Sequence, residues 1–252
     1  MKLTGAAILV SRGMTVLQAA PAAYPYRSAA RFSMATRMPI ILLSGMAADG
    51  SLFAPQREEF PQLVAPSWID PLPQESLRHY AGRLARFLDP GCPCIVGGAS
   101  FGGIVALEMA SQLRAEACVL ISSVRSPAEF PWWYRLLRPA SRLNPATLGS
   151  VAGRVAELSA SSLPRGAARR LRRLSEPNAA FLRWASWAVL GWQPSPGVRN
   201  VRVLQIHGDA DRTFPVRFTR PDVVVAGGGH LLTLTHPKIV NQFLQRAATF
   251  AA

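Results

Sequence analysis

Lysine is almost missing from this 252-residue chain: only Lys2 and Lys238 interrupt a set of basic residues otherwise made of arginine. Acidic residues are scarce as well, 14 against 28 basic ones, which leaves a net charge of +14. Charged residues of both signs amount to 17% of the chain and hydrophobic ones to 49%, which excludes a disordered polyelectrolyte and allows one domain with a substantial core. No apolar run is long enough for a membrane span, because the longest, near 95–107, is broken by glycines. The three cysteines are odd in number, and Cys92-Pro93-Cys94 is too tight for an ordinary disulfide. They read as small apolar residues of buried strands, and a reducing cytoplasm fits them. No His, Cys, Asp or Glu grouping has metal-ligand spacing, and the glycine-rich run lacks a Walker lysine and a dinucleotide pattern. Neither a metal nor a cofactor is expected.

The positive charge is unevenly placed. Residues 1–38 carry +5 with no acid, residues 124–200 carry +9, and the remainder is neutral. A nucleic-acid-binding fold concentrates its basic residues on its recognition elements, whereas here they avoid the body, so nucleic-acid binding is not expected. The first 38 residues fit a weak export signal, an Arg-rich transit peptide, or a leader upstream of a start at Met34 or Met38.

Along the rest of the chain short apolar runs alternate with helical patterns. Strands are predicted at 39–44, 62–65, 93–97, 117–122, 201–206 and 222–226, and helices over 75–88, 101–113 and 237–250. Strands apolar along their whole length argue for an α/β fold, a mostly parallel sheet flanked by helices. From 124 to 200 the rhythm stops. Prolines and helical segments replace strands there, so a helical cap is expected over a body formed by 39–123 and 201–252.

The strongest chemical signal is Gly97-Gly98-Ala99-Ser100-Phe101-Gly102-Gly103, entered by a predicted strand and left by a predicted helix. Such a turn excludes large side chains two positions either side of the serine and holds its hydroxyl at a helix N-terminus. Ser100 is therefore the candidate nucleophile, and the N–H of Phe101 a candidate oxyanion donor. A serine hydroxyl needs a base. Of His79, His207, His230 and His236, the best placed is His230, after the flexible Gly227-Gly228-Gly229, with His236 second. Its acidic partner is Asp209 or Asp211, both just beyond a strand.

The order Ser…Asp…His resembles the α/β-hydrolase superfamily from about residue 39 to the C-terminus. The run His207-Gly208-Asp209-Ala210-Asp211-Arg212-Thr213-Phe214-Pro215 is similar to its acid loop and implies Asp211. Gly227-Gly228-Gly229-His230 is similar to its histidine loop and implies His230. In Ser44-Gly45-Met46-Ala47 the resemblance implies Met46 as the second oxyanion donor, although the family often has His-Gly where this chain has Ser44-Gly45. The resemblance implies a serine esterase or thioesterase for small acyl substrates, with no cofactor. The same triad also serves C–C bond hydrolases, acyltransferases and lyases, and the fold can host a non-catalytic ligand receptor.

Five of the six tryptophans fall in the expected cap: Trp132, Trp133, Trp184, Trp187 and Trp192. Trp184 and Trp187 are candidates for the wall of an acyl pocket, or for anchors of the cap onto the body. The run Arg169-Arg170-Leu171-Arg172-Arg173 is a solvated face or a site for an anionic handle, such as coenzyme A or an acidic acyl carrier.

Overall fold

In a computed structural model of the chain, the residues described are 38–137, 139 and 178–250. The N-terminal extension apart from Met38, and the Arg169–Arg173 run, lie outside the described residues. Six parallel strands form one sheet: β1 (Ile40–Leu43), β2 (Leu63–Val64), β3 (Cys94–Ala99), β4 (Ala115–Ile121), β5 (Val203–Gly208) and β6 (Val223–Val225). Their spatial order is β2-β1-β3-β4-β5-β6. The register pairs Ile41 with Val96, Gly98 with Leu120, and Leu120 with Gln205, so the C-terminal ends of β3, β4 and β5 come side by side.

Successive side chains of a strand face opposite ways, and here both faces are covered. Ile41, Leu43, Val96 and Leu120 belong to one apolar cluster, with α2 (Leu77–Leu88) and α3 (Phe101–Ala110). Ile40, Leu42, Ile95, Val119 and Ile121 belong to the other, with α7 (Pro237–Phe250), whose Val240, Phe243, Leu244 and Ala247 are buried as their spacing predicts. The helix α2 starts where the Ser76 hydroxyl accepts from the His79 N–H at 3.2 Å, satisfying one of the free donors of a first turn. Every residue of α3 is buried, including Gly102, Gly103 and Glu108, so this helix has no solvated face.

Two helices were not foreseen, α1 (Ala54–Glu59) and α6 (Leu232–Thr235). Cys92 also departs from expectation. It is half-buried in the turn before β3, outside the strand, while Cys94 and Cys118 lie within β3 and β4 and are buried. All three thiols are free, and burial pushes the Cys94 thiol up to about 12.

Between β4 and β5 the described residues contain α4 (Trp132–Leu137) and α5 (Ala179–Gly191), two 3-10 turns and no strand. The Asn178 side chain caps α5 by accepting from Ala180 and Phe181 N–H. From α5, Trp184 donates its indole N–H to the Glu75 carbonyl at 2.8 Å and packs against Tyr80, ring centroids 4.3 Å apart. Beyond its C-terminus the indole N–H of Trp192 (2.9 Å) and the amide of Ser195 (3.0 Å) both donate to Oε1 of Glu108. One fully buried carboxyl on α3 thus ties down the segment that follows α5. Glu108→Ala is expected to cost about 3 kcal/mol, because two buried donors lose their acceptor together. The melting temperature checks this, with a fall of roughly 10 °C expected for a domain of this size. An unchanged value would refute the anchor.

Among the described residues no helix is long and apolar enough to cross a membrane.

Candidate active site

The sharp turn from β3 into α3 begins the site. Ser100 adopts φ 54°, ψ −122°, a left-handed conformation that a non-glycine residue holds only when its surroundings enforce it. They do so by sterics and by hydrogen bonds. A Cβ on Gly98 would lie 2.5 Å from the Gly102 carbonyl carbon, and one on Gly102 would lie 2.2 Å from the Leu43 carbonyl oxygen. Neither position accepts any other residue without moving backbone. The Ser100 amide donates to the Ile121 carbonyl at 3.0 Å, and the Ser123 hydroxyl donates to the Ser100 carbonyl at 2.6 Å.

The other two side chains arrive from loops beyond β5 and β6. Nε2 of His230 is 2.9 Å from Ser100 Oγ, and Nδ1 of His230 is 2.8 Å from Asp211 Oδ2. Ser100, His230 and Asp211, separated by up to 130 positions in the chain, therefore form one hydrogen-bonded line. Asp209 lies outside it. Its carboxylate accepts from the Gly227 amide at 2.7 Å and ties the two loops together, the turn-forming role that its position after a strand implies. His236 meets its neighbour Thr235, with Nδ1 2.9 Å from Oγ1, at the start of α7. The exposed His79 lies 3.0 Å from Glu75.

Asp211 is held on all sides. Oδ1 accepts from the Thr213 amide at 2.8 Å and the Phe214 amide at 2.9 Å, while Oδ2 lies 2.8 Å from His230 and 3.2 Å from Nε2 of His207. Burial alone would raise this carboxyl, but the charge of His230 and hydrogen bonds from His207 and His230 outweigh it. The carboxyl is held well below the usual carboxylate range. Tyr134 of α4 faces the same charge, and burial together with Asp211 pushes its phenol up.

His207 is the member that the sequence did not reveal. It is fully buried, and its Nε2 lies 2.5 Å from the Phe214 carbonyl as well as beside Asp211. A carbonyl only accepts, so Nε2 carries the proton and also donates toward the carboxylate. The His-Gly-Asp run was the available signal, since the strand end and the turn bring positions 207 and 211 together.

Facing Ser100 is the loop after β1. A Cβ on Gly45 would lie 3.8 Å from the Ser100 Cβ, so the chain passes directly beside the nucleophile candidate. The Ser44 hydroxyl donates to the Ala48 carbonyl at 2.7 Å, and the Ala48 amide donates to the Gly45 carbonyl at 3.1 Å. Phe101 opens α3, where backbone N–H groups have no partner within the helix. Trp184 is buried and joins α5 to α2, while Trp187 is half-buried beside the same cluster.

Comparison with known proteins gives the same outline. Residues 40–243 match the model of the alpha/beta hydrolase family. No curated protein sequence matches the chain. Among solved structures, a thermophilic esterase from Thermogutta terrifontis is 18% identical with a TM-score of 0.67, covering 86% of this chain and 91% of its own. The esterase EaEST from Exiguobacterium antarcticum is 15% identical with a TM-score of 0.62, covering 84% and 92%. The N-acyl homoserine lactonase AidH, complexed with N-butanoyl homoserine, is 15% identical with a TM-score of 0.60, covering 86% and 90%.

Proposed function

Given that the chain belongs to the alpha/beta hydrolase family, we propose that it hydrolyses carboxylic esters or thioesters of small acyl groups through an acyl-enzyme formed on Ser100. The observation that carries this reading is the hydrogen-bonded line from Ser100 Oγ through His230 to Asp211, at 2.9 and 2.8 Å. In this mechanism Ser100 attacks the substrate carbonyl while His230 Nε2 takes its proton. His230 then delivers that proton to the leaving alcohol or thiol, and a water molecule, deprotonated by the same imidazole, releases the acid. Asp211 fixes the His230 tautomer and balances the imidazolium charge. The Met46 and Phe101 amides receive the negative charge on the tetrahedral intermediate. The mechanism uses no metal and no cofactor.

The same reading divides the chain into a hydrolase body, 39–123 and 201–252, and a helical cap, 124–200, that encloses the acyl group. An anionic handle on the substrate, such as coenzyme A or an acidic carrier, is the natural partner of the cap arginines. Reversal of charge at Arg169 and Arg172 then weakens hydrolysis of carrier-linked acyl groups and spares neutral p-nitrophenyl esters.

The deciding experiment is labelling with a fluorophosphonate followed by a substrate panel. Labelling is expected at Ser100 alone, to be lost in His230→Ala, and to accompany turnover of short esters, lactones or acyl thioesters. The panel includes lactones because both esterases and a lactonase share this fold. Labelling elsewhere, or labelling without turnover on any substrate, would reject the reading.

A further inference from the structure

We propose that Trp68 is the positioning residue of the oxyanion site: its indole N–H holds the Gly45 carbonyl and thereby aims the Met46 N–H at the oxygen that becomes charged on Ser100. The proposal rests on the acyl-enzyme reading above and adds to it the side chain that sets the donor's direction.

The argument begins with one peptide unit. The Gly45 carbonyl and the Met46 N–H belong to the same planar group, and in a trans peptide they point to opposite sides. Whatever grips the carbonyl therefore decides where the N–H points. Two donors grip it: Nε1 of Trp68 at 3.3 Å and the Ala48 amide at 3.1 Å. The Ala48 bond closes the local turn and comes with the loop itself. The Trp68 bond comes from 23 residues away, from the segment between β2 and α2, and ties the loop to the rest of the protein. If this peptide rotated by half a turn, both bonds would break and a carbonyl oxygen would stand where a donor is needed.

The second observation is what the Trp68 ring touches. It packs on Phe101, centroids 5.5 Å apart at 54°, and stacks on Phe181 of α5, 5.2 Å apart at 29°. Phe101 carries the other proposed donor. One half-buried side chain thus holds the peptide of one donor, packs on the ring of the residue that carries the other, and is itself braced by the segment between β4 and β5. Helix α5 is in turn fixed to the start of α2 by Trp184, through the Glu75 carbonyl and the Tyr80 ring. The Ser186 hydroxyl of α5 meets Met46 Sδ at 3.9 Å, so brace and oxyanion loop are in direct contact. Trp68 makes no hydrogen bond or ring contact with Ser100, His230 or Asp211, so its effect should fall on stabilisation of the intermediate and spare the reactivity of the base.

The test removes the N–H and keeps an aromatic side chain. Trp68→Phe is expected to lower kcat about tenfold, less than the loss of a whole oxyanion donor, to leave KM unchanged and to lower the melting temperature by no more than a few degrees. Affinity for a tetrahedral mimic, a trifluoromethyl ketone or a boronic acid, should fall by the same factor, while affinity for a non-reacting amide analogue of the substrate stays constant. If the smaller ring fails to pack, 3-benzothienylalanine at position 68 decides, since it keeps the indole outline and lacks only the N–H. Wild-type kcat and mimic affinity in a folded variant would overturn the proposal, as would an equal loss for mimic and amide. Ser100→Ala, measured alongside, separates the two levels. If it retains ester hydrolysis, the acyl-enzyme reading has failed; if it is inactive while Trp68→Phe is normal, only the role of Trp68 has failed.

Discussion

Ser100→Ala is expected to lower kcat on esters by about 10⁵-fold, while the protein melts at the temperature of the wild type. The two halves of this result come from different parts of one residue. Activity depends on the hydroxyl, 2.9 Å from His230 Nε2, which alanine removes. The fold depends on the Ser100 backbone, whose amide donates to Ile121 and whose carbonyl accepts from Ser123, and alanine keeps both bonds. The strain of φ 54° is common to serine and alanine, so it cancels in the comparison. Residual rate enhancement should come from binding and from the oxyanion donors alone. Single-turnover and steady-state assays on the same ester, with thermal melting monitored by circular dichroism, measure both halves. Loss of less than about 100-fold would sink Ser100 as the nucleophile, because alanine cannot form the acyl-enzyme and hydrolysis would then be running through another group.

The body of the fold was legible because parallel strands covered on both faces are apolar at every position. Ile40–Leu43, with all four residues buried, is a run that no solvated strand would tolerate. The helix Pro237–Phe250 was legible for the complementary reason, a half-buried surface that repeats at the helical period. The two helices that escaped notice have six and four residues, and neither is long enough for that period to register. The displaced Cys92 shows the same limit at an element boundary, since Pro93 separates it from the strand that holds Cys94.

Within the site, legibility followed the range of the physical cause. The geometry around Ser100 is enforced by neighbours two residues away, where Gly98 and Gly102 let the backbone of Leu43 approach, so the local sequence carries the signal. Asp211 and His230 lie on separate loops. Only resemblance to a known loop distinguished Asp211 from Asp209, whereas His230 was already marked out from His236 by the glycine run before it, and the resemblance added to that. His207 and Trp68 act through contacts that leave no pattern: a strand-end imidazole shared between a carbonyl and a carboxylate, and an indole reaching a backbone oxygen in a distant loop. Backbone acceptors are present at every residue, so no sequence spacing marks the one that is used.

Asp211→Asn should lower kcat by about 10⁴-fold, and the cause is the tautomer of His230 rather than loss of a contact. Four donors converge on the carboxylate: the Thr213 and Phe214 amides on Oδ1, and His207 and His230 on Oδ2. An asparagine offers one oxygen and one NH₂ group in their place. The two backbone amides are fixed, so they claim the oxygen and turn the NH₂ group toward the histidines. His230 must then accept at Nδ1 and carry its proton on Nε2, where it can no longer take one from Ser100. Stability should change as well, with a defined dependence on pH. The Asp211 carboxyl is held below its unfolded value of about 3.9, so the folded chain binds this proton less readily than the unfolded chain. Its contribution is present in full well above pH 4, and from about pH 4 downward it is lost as the pH falls toward the folded value. The asparagine variant never has that contribution. Urea unfolding at pH 7 should therefore show the variant less stable, with the gap to wild type narrowing as the pH is lowered to about 3. A gap that stays constant over this range would mean that the four donors do not hold Asp211 as an anion, and the orientation of His230 would need another cause.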